Sequence, residues 1–195
     1  MLDVNQLRRM VRDAYSAAAC DPGADHTFPM GREFAASLGY VPEILSSMPA
    51  ASVEAFSGVS NVAMAAGIRR GATVLDLGCG AGLDSLVAAR RAAPHGIVVG
   101  LDFSQAMVDR ARAAAAASGA ANTVFCCADA GYVPLRAASV DIALVNGIFN
   151  LNPARVPIFR ELARVLRRGG AVYAAELVVA APLPPERQTA ADWFA

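Results

Sequence analysis

The feature that most constrains this chain is an apolar stretch that runs directly into closely spaced glycines, VLDLGCGAG from Val74 to Gly82. A helical pattern then starts at Leu83. Glycine lets a backbone turn sharply and approach a ligand where a Cβ atom would clash. The N-terminus of the following helix adds unpaired N–H groups and a positive dipole end. A strand, a glycine turn and a helix in this order predict a small-molecule site at the carboxyl edge of a parallel sheet.

The spacing of the glycines separates two classes of ligand. A dinucleotide fingerprint is Gly-x-Gly-x-x-Gly, and its third glycine would fall at Leu83, which disfavours a nicotinamide oxidoreductase. The observed Gly-x-Gly-x-Gly resembles motif I of class I S-adenosylmethionine (SAM)-dependent methyltransferases, in which a strand-end acid also recurs. A tight turn without any ligand is the structural alternative. The resemblance implies cofactor contacts from Asp76, Gly78, Cys79, Gly80 and Gly82.

Strand and helix patterns alternate from residue 67 to residue 180, which predicts a Rossmann-like, doubly wound and mostly parallel α/β sheet. Ser104 is expected to cap a helix from Gln105 to Ser118, and a later helix opens at Asn152-Pro153 and ends at Gly169-Gly170. The predicted strands are Thr73–Leu77, Gly96–Leu101, Thr123–Cys127, Val140–Asn146 and Ala171–Val179.

The rest of the chain is predicted to frame this core within a single domain. Residues 1–66 read as an N-terminal helical cap, which starts with an amphipathic helix over Val4–Ala19, and residues 181–195 as a Pro-rich tail. Class I methyltransferases continue past strand five with a helix and two further strands. We therefore expect strands six and seven to be lacking here. Strand five would then be an exposed edge. Three outcomes stay open: a second copy or another chain covers this edge, the Pro-rich tail folds over it, or the chain is a truncated and impaired enzyme.

Composition excludes several other function classes. The net charge is zero without a basic stripe, so no nucleic-acid partner is expected. All 17 basic residues are arginine, which rules out Schiff-base lysine chemistry. The four cysteines lack zinc-ligand spacing, so no metal is expected. No apolar run approaches the ~20 residues that span a bilayer, and no signal peptide is recognised, so a cytoplasmic protein without a membrane partner is expected.

Polar residues that follow the predicted strands outline a cofactor site. Asp102 ends the second strand, where a carboxylate accepts hydrogen bonds from both ribose hydroxyls of a nucleoside. Asp129 follows the third strand and is placed to accept from an adenine amino group. Phe103 and Met107 are candidate apolar walls, and Asn146 is a candidate contact of the methionine end. Beyond the glycine turn, the cofactor-binding candidates are therefore Asp102, Phe103, Met107, Asp129, Ala130 and Asn146.

A more specific resemblance covers residues 54 to 178. The segments EAFSGVSN, VLDLGCGAGLDSL, GLDFSQAMVDRAR, AASVDIALVNGIFNLNP and FRELARVLRRGGAVYAAEL are similar to the arsenite methyltransferase group. Those enzymes hold As(III) with cysteine thiolates, and the matching positions here are Val59 and Gly147. A soft metalloid needs thiolate ligands. The resemblance thus implies SAM as methyl donor, whereas arsenite is not expected as the acceptor.

The predicted activity is SAM-dependent methyl transfer to an unidentified small molecule. Placing two reactants in line is worth about 7–11 kcal/mol, more than a general base contributes, so no dedicated base is required. Candidate acceptor-side or catalytic residues are Tyr15, His26, Asn146, Phe149 and Asn150. The alternative is a catalytically impaired SAM-binding or scaffold subunit with a truncated methyltransferase fold.

Overall fold

The computed structural model describes residues 3–178, and within them five strands form one sheet. The strand order is β3-β2-β1-β4-β5, and every neighbouring pair is parallel. The direction of winding reverses between β1 and β4, and ligands of open α/β sheets bind at such a switch point. The predicted Rossmann-like fold is confirmed. The strands are β1 Thr73–Leu77, β2 Ile97–Asp102, β3 Thr123–Cys127, β4 Val140–Asn146 and β5 Leu166–Ala175.

Eight helices accompany the sheet in the described part of the chain. Five of them precede β1, and among these α1 and α4 pack against α7 while α5 packs against α6. Long-range packing of this kind stabilises short helices that would not persist alone. The helices are α1 Val4–Cys20, α2 Arg32–Ser37, α3 Pro42–Ser47, α4 Ala50–Glu54, α5 Val62–Ala65, α6 Leu83–Ala92, α7 Gln105–Ser118 and α8 Arg155–Val165. None of the helices within residues 3–178 is long and apolar enough to cross a membrane.

Apolar side chains cover both faces of the sheet. Because side chains alternate along a strand, Val74 of β1 joins a cluster with α6 and α7, whereas Leu75 and Leu77 join a second cluster on the opposite face. Ile158 and Leu162 of α8 complete the second cluster. The central strand is therefore buried on both sides, as expected for a doubly wound sheet.

The predicted end of the last helix is wrong. The helix α8 ends at Val165, before the predicted end at Gly169-Gly170. The strand β5 begins at Leu166, five residues before the predicted start at Ala171 of the strand Ala171–Val179. The carbonyl groups of Arg164 and Val165 accept hydrogen bonds from the N–H groups of Ala138 and Ser139, at 2.9 and 2.8 Å. These contacts satisfy carbonyls that would otherwise continue the helix, and they close its end onto the loop before β4.

Within residues 3–178, β3 and β5 are the two edges of the sheet. The predicted tail, residues 181–195, lies outside the described residues, and so does the expectation about strands six and seven. Coverage of the β5 edge by another chain stays a prediction.

Candidate functional site

A cavity lies at the carboxyl ends of β1, β2 and β4, where the winding of the sheet reverses. It has a volume of about 1040 Å³ including its open mouth, comparable to the upper end of the range typical of small-molecule sites. The glycine turn after β1 forms its floor, and Val11 and Tyr15 of α1 form part of its wall. The sheet and the N-terminal helices therefore build the cavity together.

The glycine turn needs glycine for two different reasons. Gly78 has φ +79°, and a Cβ atom there would overlap the side chain of Ile148. Gly80 has φ +50°, and nothing lies within 4 Å of the position that its Cβ would take. The N–H groups of Gly78 and Cys79 both donate to the carbonyl of Leu101, at 2.8 and 2.9 Å, which fixes the turn against β2. The backbone at Gly80 is thus held open to a ligand.

Asp102 connects this turn to the end of β2. One carboxylate oxygen accepts from the N–H of Gly80 at 2.9 Å, and the other accepts from the N–H of Ser104 at 2.9 Å. Burial raises the pKa of Asp102, while its backbone hydrogen bonds oppose the shift. A carboxylate has about four acceptor positions, so Asp102 retains the capacity to accept from ligand hydroxyls.

Asp129 lies beyond the end of β3 and is paired across the mouth of the cavity. One oxygen accepts from the N–H of Gly131 at 2.8 Å, and the other forms an ion pair with Arg8 of α1. Sequence reasoning missed Arg8, although it lies seven residues before Tyr15 and so on the same face of α1. The pair ties the N-terminal helix to the strand end.

Two further acids line the cavity from deeper positions. Asp76 of β1 is 1% exposed and accepts from the hydroxyl of Ser85 at 2.5 Å. Burial, together with the nearby carboxylate of Asp84, raises the pKa of Asp76 to about 8. Asp84, in the first turn of α6, is also buried, and burial raises its pKa as well. Sequence reasoning missed Asp84, whose position two residues after Gly82 was the available signal.

Most of the predicted site residues meet at this cavity. The following cofactor and acceptor candidates line the cavity: Tyr15, Asp76, Gly78, Cys79, Gly80, Asp102, Phe103, Asp129, Ala130 and Asn146. Tyr15 stacks on Phe28 with ring centroids 4.6 Å apart, and burial raises the pKa of its hydroxyl.

Other predicted residues lie outside the lining. Met107 is fully buried in a cluster beneath α1, and Gly82 packs against α7. The ring of His26 contacts the carbonyl of Asp21 at 2.7 Å on the surface, and Phe149 stacks on Phe159. The side chain of Asn150 donates to the carbonyl of Leu177.

Glu176 is a third residue that sequence reasoning missed. It follows β5, and its carboxylate accepts from the N–H groups of Phe149 and Asn150 at 2.8 and 3.2 Å, which holds the loop after β4. The sequence pattern could have identified Glu176, because each of the five strands has a polar side chain at or near its carboxyl end. These residues are Asp76, Asp102, Asp129, Asn146 and Glu176.

The two positions matched to metalloid-binding cysteines adjoin each other, and Gly147 of the pair lines the cavity. A Cβ atom at Gly147 would lie 3.2 Å from Cγ1 of Val59. Neither residue carries a thiol. Cys79 does line the cavity, but burial raises the pKa of its thiol. Within the described residues, no group of three or more His, Cys, Asp or Glu side chains is arranged to hold a metal ion.

The parallel sheet, the glycine turn and the strand-end acids define a domain of the class I methyltransferase type. Residues 68–195 match the sequence model of a family described as a methyltransferase domain. The match covers more than half of the chain, which therefore belongs to this family. The family resemblance inferred from the sequence is confirmed.

Two methyltransferases that are similar in sequence to this chain agree with this assignment. The chain is 34% identical to an arsenite methyltransferase of Halobacterium salinarum, over 97% of this chain and 52% of the relative. It is 31% identical to a demethylmenaquinone methyltransferase of Lactococcus lactis, over 54% of this chain and 42% of the relative. The chain thus spans about half the length of the relatives it matches.

A solved structure shares the architecture as well. An arsenic (III) S-adenosylmethionine methyltransferase from Chlamydomonas reinhardtii superposes with a TM-score of 0.61 at 30% sequence identity. The superposition covers 82% of this chain and 53% of that protein.

Proposed function

We propose that this chain is the SAM-binding domain of a methyltransferase that acts on a small molecule. The observation that carries the proposal is the hydrogen bond between Asp102 and Gly80, which fixes a carboxylate beside an open glycine backbone at the switch point of the sheet. Family membership supports the same reading.

The lining residues fit the parts of such a cofactor. Asp102 would accept from the ribose hydroxyls, and Asp129 from the adenine amino group. Phe103 and Ala130 would flank the base, while the backbone at Gly80 would lie against the methionine portion. Asp76 and Asp84 add carboxyl groups to this cavity. Burial raises their pKa values in the free protein, and a bound cationic group would favour their ionised form.

The chemistry supplied by SAM when bound is a methyl group already activated on a sulfonium. The protein's own task is then to bind both reactants, align them and exclude water, which together are worth about 7–11 kcal/mol when the alignment is good. No histidine lines the cavity in the described part of the chain. The carboxyl groups of Asp76, Asp84 and Asp102 line it but are engaged by hydrogen bonds inside the protein. We therefore expect positioning to contribute more than a dedicated base.

The acceptor is proposed to be an uncharged or cationic organic molecule rather than As(III). Val59 and Gly147 offer no thiolate where the related group has cysteine ligands. Arg8 is the basic residue of the described lining, and its charge is paired with that of Asp129. Among the described residues, the lining therefore has no unpaired positive charge to attract an anionic acceptor. Phe56, Ile148 and Leu151 add apolar surface for the acceptor.

Calorimetry with SAM and S-adenosylhomocysteine tests the proposal. We expect saturable binding that is lost in Asp102→Ala and in Gly80→Val, with circular dichroism verifying that the variants are folded. Folded wild-type protein that binds neither ligand would overturn the assignment. Transfer of label from methyl-labelled SAM into a metabolite extract separates an enzyme from a scaffold subunit, because a scaffold would bind the cofactor and transfer nothing.

A further inference from the structure

The side-chain amide of Asn146 has no hydrogen-bonding position left for a ligand. Its oxygen accepts from the N–H groups of Val59 and Ser60, at 2.8 and 3.1 Å. Its nitrogen donates to the carbonyl of Ser60 at 2.7 Å and to the carboxylate of Asp84 at 2.8 Å. An amide has two donor hydrogens and two acceptor lone pairs. All four are therefore used inside the protein.

Asp84 extends this network into the N-terminal helices. The carboxylate oxygen that does not contact Asn146 accepts from the hydroxyl of Tyr40 and from the N–H of Ala63 at 3.0 Å. Asp84 is only 5% exposed. Buried polar groups stabilise a unique arrangement when all of them are satisfied and cost free energy when a partner is removed. Asp84 thus joins α6, α5 and the segment before α3 to the tip of β4.

The segment held by this network, residues 57–61, forms part of the cavity wall. Ser57 and Gly58 line the cavity. A Cβ atom at Gly58 would lie 2.5 Å from the amide nitrogen of Asn146, so the backbone of the segment rests directly on that side chain. Any displacement of Asn146 would move the wall.

We propose that Asn146 and Asp84 form a clamp that fixes segment 57–61 as the cavity wall beside the tip of β4, and that Asn146 is a positioning residue. The inference rests on the proposed function only for the identity of the ligand. It changes the role of Asn146 from a contact of the methionine end to a support of the wall. A misplacement of about 1 Å at a reacting centre can cost about a hundredfold in rate, which gives the clamp a function beyond stability.

Amide hydrogen exchange of the ligand-free protein tests the clamp directly. We expect exchange in segment 57–61 to accelerate at least tenfold in Asn146→Ala and in Asp84→Asn. Gly58→Ala, which pushes on the amide of Asn146 without removing it, should act in the same direction. Unchanged exchange in this segment in the folded variants would overturn the clamp, whether or not the protein binds SAM.

Asn122→Ala is the matched control. Asn122 also donates to two carbonyls, those of Ala89 and Gly96, but at the amino ends of β2 and β3, away from the cavity. Its replacement should leave exchange in segment 57–61 at the wild-type rate. Faster exchange there would show general loosening and would count against a local clamp.

The affinity for S-adenosylhomocysteine separates positioning from direct contact. A positioning role predicts that the dissociation constant rises in proportion to the exchange rate across Asn146→Ala, Asp84→Asn and Gly58→Ala. The positioning role would be overturned if exchange in segment 57–61 accelerates equally in all three variants but only Asn146→Ala loses affinity for S-adenosylhomocysteine by tenfold or more. If the wild-type protein binds no S-adenosylhomocysteine, the proposed function is refuted. The exchange measurement on the ligand-free protein then still tests whether the clamp exists.

Discussion

Val59 and Gly147 come from segments far apart in sequence and meet at the edge of the cavity, where a Cβ atom at Gly147 would lie 3.2 Å from Cγ1 of Val59. Two side chains at this separation could hold one soft ion between them. With valine and glycine there, the pair instead provides apolar packing. The contact therefore bears on which acceptors the cavity can take.

The double variant Val59→Cys/Gly147→Cys should gain affinity for a trivalent arsenical, because thiolates are the ligands that soft ions prefer. We expect phenylarsine oxide to bind at least tenfold more tightly to the double variant than to either single variant, as measured by calorimetry. The wild type, with its four native cysteines, is the control. Equal affinity in all four proteins would contradict the inferred proximity of the two positions.

Stability should fall as the pH rises from about 4 to about 8. In the folded state, burial and the nearby charge of Asp84 raise the pKa of Asp76 to about 8, whereas the pKa of an unfolded aspartate is ~3.9. Between these values the unfolded chain has released a proton that the folded protein retains, so increasing pH favours unfolding. Urea unfolding at a series of pH values measures the effect.

Two variants sharpen this pH experiment. Asp76→Asn should flatten the curve, with a residual slope from Asp84 and Asp102, whose pKa values burial also raises. Ser85→Ala removes a hydrogen bond that lowers the pKa of Asp76, so the decline should extend to higher pH. Identical curves for the wild type and Asp76→Asn would exclude Asp76 as a source of the slope.

Gly78→Ala should destabilise the protein more than Gly80→Ala does. Both positions have positive φ, which costs a residue with a side chain about 1–2 kcal/mol. At Gly78 the added methyl would also overlap Ile148, whereas nothing lies within 4 Å at Gly80. Overpacking adds about 1–3 kcal/mol. Urea unfolding of both variants gives the two free energies.

The overlap itself is tested by adding Ile148→Ala to each glycine variant. The second substitution should recover part of the loss in Gly78→Ala and none in Gly80→Ala, a coupling that a double-mutant cycle isolates. Strict additivity at both positions would show that backbone strain alone explains the glycine at position 78.

Arg8→Ala should loosen the docking of α1 without unfolding the domain. The ion pair between Arg8 and Asp129 is partly exposed, and such pairs contribute about 0–1 kcal/mol. We expect faster amide exchange at the start of α1, a similar increase in Asp129→Asn and no further increase in the double variant. Arg12→Ala, which removes only a contact to neighbouring Asp13, is the control. Fully additive effects of Arg8→Ala and Asp129→Asn would argue against a direct pair.

Much of the fold was predictable because its signals are local. Strand and helix bounds at β1, β3, β4 and α7 follow from apolar patterns and from the cap at Ser104, all of which lie within a few residues of the element itself. The end of α8 was not predictable in this way, because N–H groups of Ala138 and Ser139 close it from an earlier part of the chain.

The candidate site was likewise predictable only where its signals are local. The sequence alone indicated Asp102 and the glycine turn, because a parallel sheet brings the carboxyl ends of its strands to one edge. The tertiary structure decided the partners: Arg8 lies 121 residues from Asp129, and Asp84 lies 62 residues from Asn146. A periodic pattern records which face of an element is buried but not which distant side chain meets it. The pairing, and with it the shape of the cavity wall, arises only when the N-terminal helices pack against the sheet.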